Sequence, residues 1–129
     1  MRTLVLPVLL AASLASIALA ASDQKFATFE DLQASGITGE ARLNPMLQGD
    51  VQIHETLRGL EPGVEYVTVI YQNGSCLSGG TTFQIGTFTA NPAGIAQVNQ
   101  RVGVPIDQIQ SISVERASDN VVVACAPVL

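Results

Sequence analysis

The side chains that could carry out chemistry are few and scattered in this chain of 129 residues. There is one histidine, His54, and there are two cysteines, Cys76 and Cys125. A zinc or copper centre needs several nitrogen or sulfur ligands around one ion, so a multi-histidine metal site is excluded by counting alone. His54 is also the only histidine that could act as the general base for a serine or cysteine nucleophile. We therefore expect no catalytic residue, no cofactor and no metal site.

The remaining polar residues form no pattern typical of a known site. There is no Asp-x-Asp-x-Asp calcium loop, and Gly-x-Ser-x-Gly, His-Glu-x-x-His and glycine-rich phosphate loops are also missing from the sequence. His54 and Glu55 are neighbours in one alternating segment, which predicts that His54 points outward and Glu55 inward. An inward Glu55 requires a hydrogen-bond partner, a proton or a local bulge, because burying a bare carboxylate is costly.

The N-terminal segment has the features of an export signal. Arg2 precedes an apolar run from Leu4 to Leu19, and Ala18-Leu19-Ala20 is a small-x-small cleavage motif. We expect residues 1–20 to be a signal peptide that is removed, leaving a single domain over 21–129 that is secreted, either extracellular or periplasmic. The apolar run is at the lower limit of length for a membrane span, so an uncleaved anchor is the alternative.

The mature chain is acidic, and this charge limits the classes of molecule that it can bind. Without the leader it has five basic and eleven acidic side chains, a balance of −6. Such a surface repels the phosphate backbone of nucleic acids and anionic lipids. We expect no nucleic-acid partner and, after signal cleavage, no membrane partner. We therefore expect the partner to be an unidentified protein or surface ligand. The composition does not indicate an oligomeric state.

The two cysteines predict a disulfide. Export makes a bridge permissible, and Cys76 and Cys125, 49 positions apart, allow only one intramolecular pairing. Two buried free thiols are the alternative. Asn73-Gly74-Ser75 is the one Asn-x-Ser sequon, and Asn73 would carry a glycan only in a eukaryotic host with this turn exposed.

From Phe26 onward, short apolar runs alternate with Gly, Pro, Asn and Asp. Seven or eight short strands at this spacing predict an all-β fold, a Greek-key β-sandwich or flattened barrel of antiparallel strands. Residues 25–29 fit either a strand or one helical turn capped by Asp23. The other predicted strands are 36–44, 51–58, 64–71, 83–89, 95–102, 109–116 and 121–128, with a short helical turn at 105–108.

Taken in order, these segments resemble the copper–zinc superoxide dismutase-like β-sandwich. Residues 59–63, Gly-Leu-Glu-Pro-Gly, are similar to the family's Gly-Leu-x-Pro-Gly turn, and residues 94–98 to its Gly-x-Ala-x-Val strand. Cys76 and Cys125 fall where the family places its loop cysteine and the partner in its last strand. The Gly-Thr-Phe-Thr-Ala segment at 86–90 also resembles the chordin-type repeat domain, a related sandwich without metal.

The family's metal site does not carry over. Its first two copper histidines would fall at Thr68 and Ile70, and its later copper histidine near Val114. The arginine that attracts superoxide would fall at Val122. The zinc loop is reduced to the few residues between Cys76 and Phe83, none of them His or Asp. The resemblance therefore implies the fold without the activity, a metal-free, non-enzymatic protein with a binding or structural role.

Two alternative functions stay open. Residues 57–66 fit the Leu-x-Gly-Leu-x-Pro-x-x-x-Tyr corner of a fibronectin type III-like adhesion module. That motif normally lies late in such a module, whereas roughly half of this chain follows it. The second alternative is a residual copper-binding or superoxide dismutase-related protein that uses His54.

Overall fold

A computed structural model describes residues 23–77 and 82–129, so the predicted signal peptide lies outside the described residues. The described chain forms eight β-strands, which confirms the predicted all-β class. The strands are β1 (Lys25–Asp31), β2 (Thr38–Pro45), β3 (Val51–Arg58), β4 (Glu65–Tyr71), β5 (Thr82–Thr89), β6 (Ala96–Val102), β7 (Ser111–Arg116) and β8 (Val122–Pro127), with a 3-10 turn (Ile106–Gln108) before β7. No helix within the described ranges has the length and apolarity needed to cross a membrane.

The strands form one antiparallel sheet in the order β5-β4-β7-β8-β1-β2-β3-β6. Strand β1 belongs to both halves, because its first five residues pair with β2 while Glu30 and Asp31 pair with β8. The sheet thus folds into a first layer of β1, β2, β3 and β6 and a second layer of β8, β7, β4 and β5. The edge strands β5 and β6 approach each other, since a side chain built on Gly86 would start 2.8 Å from Nε2 of Gln100. The result is a nearly closed barrel.

The burial of each strand follows from the faces that it covers. In β3 the residues at every second position, from Val51 to Leu57, are buried, and those between them are partly or largely exposed. In β4 every residue after Glu65 is buried. Its inward residues join the main core, and its outward residues pack in a second cluster of Val67, Val69, Tyr71, Cys76 and Cys125. A strand that is covered on both faces is expected to be continuously apolar, as this one nearly is.

The turn between β3 and β4 depends on two glycines. Gly59 and Gly63 have φ angles of +77° and +80°, in the left-handed region that favours glycine. A Cβ on Gly59 would lie 2.3 Å from the carbonyl oxygen of Gly36, whereas a Cβ on Gly63 would meet nothing within 4 Å. The turn is closed by Tyr66, whose hydroxyl accepts a hydrogen bond from the backbone N–H of Glu61 at 3.0 Å. The tyrosine that suggested an adhesion-module corner therefore has a local role in this turn.

Replacing Gly63 by valine should destabilise the protein by about 1–3 kcal/mol, because a β-branched residue is strained at positive φ. The effect isolates backbone strain, since the site has room for a side chain. Urea unfolding of Gly63→Val beside Glu61→Ala measures it. The alanine variant truncates an exposed side chain in the same turn and should change stability by less than about 0.5 kcal/mol. Equal losses in both variants would contradict this account of the turn.

Candidate functional site

Glu55 is a carboxyl group inside the barrel. Its side chain is 2% exposed, and Oε2 accepts a hydrogen bond of 3.1 Å from the hydroxyl of Thr68, across the interior between the two layers. Oε1 has no hydrogen-bond partner, and among the described residues it is the one fully buried side-chain nitrogen or oxygen atom without one. Burial raises the pKa of Glu55 to about 8, and the Thr68 hydrogen bond opposes this only in part. The inward orientation predicted for Glu55 is confirmed, and the group is largely protonated at neutral pH.

A second polar group lies on the outer face of the second layer. The hydroxyl of Tyr71 on β4 donates to Oε1 of Glu115 on β7, and the hydroxyl of Ser113 donates to the same oxygen at 3.2 Å. Burial, followed by the hydrogen bond to Glu115, raises the pKa of Tyr71 to about 12, so its hydroxyl remains a donor at physiological pH. This network was not predicted from the sequence. The available signal was the polar residue at every second position of β7, namely Ser111, Ser113 and Glu115.

This network lies at a cleft of about 620 Å³, here called the outer cleft. Its lining includes Val69, Tyr71, Cys76, Glu115, Asn120 and Val122. Two strand irregularities flank it, one between Thr68 and Val69 and one between Val114 and Glu115. Irregularities of this kind re-aim side chains and are frequent beside binding sites. The outer cleft therefore combines apolar walls with a buried hydrogen-bonded carboxylate.

Another cavity, of about 610 Å³, lies at the tip of the β2–β3 hairpin beside Met46, Leu47 and Arg101. Among the described residues that line this cavity, Arg101 is the only charged one, and it is paired with Asp50 at 2.8 Å. The described lining of this cavity contains no buried polar network comparable to that of the outer cleft. The outer cleft is consequently the better candidate site.

The predicted disulfide is present and borders the outer cleft. Cys76 and Cys125 are bridged, with their Cα atoms 6.0 Å apart, and the bridge ties the loop after β4 to β8. Ser111 holds the same loop in place, because its hydroxyl donates to the carbonyl of Asn73 at 2.6 Å and accepts from the N–H of Cys76 at 3.0 Å. This side of the cleft is fixed by one covalent bond and by hydrogen bonds.

The amide of Asn73 is used within that loop. Nδ2 donates to the carbonyl of Leu77 at 2.6 Å, and Oδ1 accepts from the backbone N–H groups of Ser75 and Leu77. The nitrogen that would carry a glycan is therefore already hydrogen-bonded. Glycosylation of Asn73 in a eukaryotic host stays a prediction.

His54 lies on the face of β3 opposite to Glu55, and it is not among the residues that line the outer cleft. It is on the outer face of the first layer, where its Nδ1 is hydrogen-bonded to Oδ1 of Asn99 on the neighbouring strand β6. Its register partner on the other side is Arg42. The outward orientation predicted for His54 is confirmed, and its surroundings are those of a surface strand residue.

Comparison with known proteins bears on the fold. No protein-family model matches the sequence, and no curated protein matches it. The structure is nevertheless similar to a point mutant of superoxide dismutase 5 from Candida albicans, with a TM-score of 0.59 and 14% identity over 83% of this chain and 88% of that one. The fold is superoxide dismutase-like. The fold expected from the sequence resemblance is thereby confirmed, and at this identity the likeness concerns the fold alone.

Within this superoxide dismutase-like fold, the positions that the resemblance assigned to copper ligands face inward. Ile70 and Val114 are fully buried in the main core, and Thr68 is fully buried with its hydroxyl on Glu55. Val122, assigned to the arginine position, packs against the second cluster, on the outward face of β4. Over residues 23–77 and 82–129, no group of three His, Cys, Asp or Glu side chains is arranged to hold a metal ion.

Proposed function

We propose that this chain is an exported, non-enzymatic binding domain on a superoxide dismutase-like fold, and that it works without a metal. The observation that carries the proposal is the orientation of Thr68, Ile70 and Val114 into the barrel interior. None of the three offers an imidazole, and two offer no ligand atom. A redox copper site relies on several soft nitrogen donors around one ion. His54 is on the opposite layer from the outer cleft and is too isolated to replace them.

Export is supported by the leader features of residues 1–20 and by the disulfide, which forms stably in oxidising compartments. The extracellular space or the periplasm is the location that we propose. The partner is a protein or surface ligand, since an acidic chain disfavours nucleic acid and anionic membranes. The chordin-type repeat domain, which residues 86–90 resemble, offers a precedent for a related sandwich without metal.

Purified mature protein incubated with copper and zinc and then dialysed should retain well below stoichiometric metal. It should also dismutate superoxide no faster than the free ions do, because the chain supplies one imidazole where several are needed. Elemental analysis and a superoxide assay on the same sample measure both properties. Copper bound stoichiometrically to the wild-type chain and lost in His54→Ala would refute the proposal and favour the residual copper-binding alternative.

A further inference from the structure

Glu115 is a carboxylate with two differently placed oxygens. Glu115 is 8% exposed, and its Oε1 accepts hydrogen bonds from the hydroxyls of Tyr71 and Ser113. Oε2 accepts no hydrogen bond from any described residue. Oε2 is not fully buried either, since Oε1 of Glu55 is the one fully buried side-chain nitrogen or oxygen atom without a hydrogen-bond partner in the described part of the chain. Glu115 lines the outer cleft, and Oε2 is the oxygen that its described hydrogen bonds leave free to accept a donor from a ligand.

No described cation neutralises this carboxylate. The described lining of the outer cleft contains no lysine or arginine. Arg116, the next residue along β7, pairs with Asp119 at 3.1 Å. Tyr71 and Ser113 both donate hydrogen bonds to Oε1, so the partners that the fold gives Glu115 are neutral hydroxyl groups. A largely buried carboxylate without a counter-ion is costly, so a positively charged ligand would gain more here than at an exposed acid.

The walls around Glu115 suit a short apolar stem. Val69, Val122 and the disulfide of Cys76 provide apolar surface, and Asn120 adds an amide at the cleft. The volume of about 620 Å³ is typical of small-ligand sites. The irregularity between Val114 and Glu115 changes the register of β7 against β8 at the point where the carboxylate enters the cleft.

From these observations we infer that the outer cleft binds an organic cation, a guanidinium or primary ammonium group on a short apolar stem, with the charge on Glu115 and the stem between Val69 and Val122. The inference rests on the proposed binding function and adds the chemical class of the ligand. Free amines and basic side chains of a partner protein share this chemistry.

The chain is first dialysed against a chelator to remove metal ions. It is then titrated with N-acetyl-arginine methylamide and followed by NMR. Saturable shifts are expected at the amides of Val69, Glu115 and Val122. The citrulline analogue is a matched neutral probe of nearly the same shape, and it should bind about tenfold more weakly or worse. Two further probes separate the sources of the cation. Tighter binding of agmatine indicates a free amine, and tighter binding of a Gly-Arg-Gly peptide indicates a basic side chain of a protein.

Glu115→Gln should weaken binding of the arginine probe by about tenfold or more, since it removes the charge and keeps the shape. Glu65→Gln removes the same charge from an exposed position on β4 and should leave the affinity within about twofold. The amide spectrum of each variant reports whether it is folded, and the arginine–citrulline contrast needs no variant. Equal binding of the two probes, or no saturable binding of any cation, would overturn the inference.

Metal retention, measured in parallel, separates this inference from the proposed function. Stoichiometric copper with intact arginine binding would refute the metal-free proposal and leave the cation site standing. Weak metal retention with no cation binding would refute the cation site and leave the metal-free proposal standing.

Discussion

Raising the pH from about 4.5 to about 8 is expected to lower the free energy of unfolding by several kcal/mol through Glu55 alone. The pKa of this carboxyl is 4.5 in an unfolded chain and about 8 in the folded one, where burial favours the protonated form. Unfolding therefore releases a proton between these two pH values, and each pH unit costs the folded state about 1.4 kcal/mol. Below pH 4.5 the stabilising contribution of protonated Glu55 is fully present, and above pH 8 this group causes no further loss.

Urea unfolding at a series of pH values measures this effect, with Glu55→Gln as the decisive comparison. Glutamine keeps the shape and an acceptor for Thr68 but cannot ionise, so the variant should lose the slope and exceed the wild type by several kcal/mol at pH 8. At pH 4.5 the two proteins should differ by only about 1 kcal/mol. Glu40→Gln, on the exposed face of β2, should keep the wild-type profile. If the free energy of unfolding of wild type and of Glu55→Gln changed with pH in parallel, Glu55 would not be the origin of the pH dependence.

Asp119 affects the free energy of unfolding in a different pH range. The hydrogen bond from the backbone N–H of Val121, followed by that from Arg116, holds the pKa of Asp119 below its usual value. A carboxylate with a lowered pKa loses its stabilising contribution only as the pH falls through that value. A decline of stability between pH 4.5 and 8 is therefore not attributable to Asp119.

Replacing both Cys76 and Cys125 by alanine should lower the free energy of unfolding by about 2–5 kcal/mol. The bridge closes a loop with a sequence separation of 49, so its loss gives the unfolded chain more conformational freedom. In the folded state its sulfur atoms pack with Val67, Val69 and Tyr71, so their removal also leaves a gap on the outer face of β4.

Urea unfolding of the oxidised wild type and the double alanine variant measures the loss. Peptide mapping without reductant should yield one cross-linked pair that contains Cys76 and Cys125. Ser111→Ala is an informative companion, because it removes the hydrogen bonds to the same loop and keeps the covalent tie. It should cost about 1–3 kcal/mol. A double cysteine variant as stable as the wild type would contradict this role of the bridge.

Local alternation predicted the strands well. The alternating pattern of β3 placed Glu55 inside and His54 outside, and both orientations are confirmed, because successive side chains of a strand point to opposite faces. The ends of the strands shifted by up to two residues, as for β2 and β7, since ends depend on pairing partners. The sequence left residues 25–29 undecided between a strand and a helical turn, and their pairing with β2 makes them a strand.

The alternation of side chains did not predict which residues of β4 point into the barrel and which point outward. The resemblance marked Thr68 and Ile70 as former ligand positions, but the inward set of β4 is the one that contains them. The outward set packs with the disulfide and with Val122 of β8, so β4 is buried on both faces and its pattern has no period that would reveal the difference.

The sequence by itself determined the all-β class, the approximate strands, the pairing of the only two cysteines and the inward orientation of Glu55. These properties depend on side-chain alternation, turn residues and counting, which are local or compositional. Only the tertiary structure decided that Glu55 meets Thr68 across the barrel and that Tyr71 meets Glu115, 44 residues away, on an adjacent strand. Such contacts depend on strand order and register, and these follow from the packing of the whole sheet rather than from any segment of it.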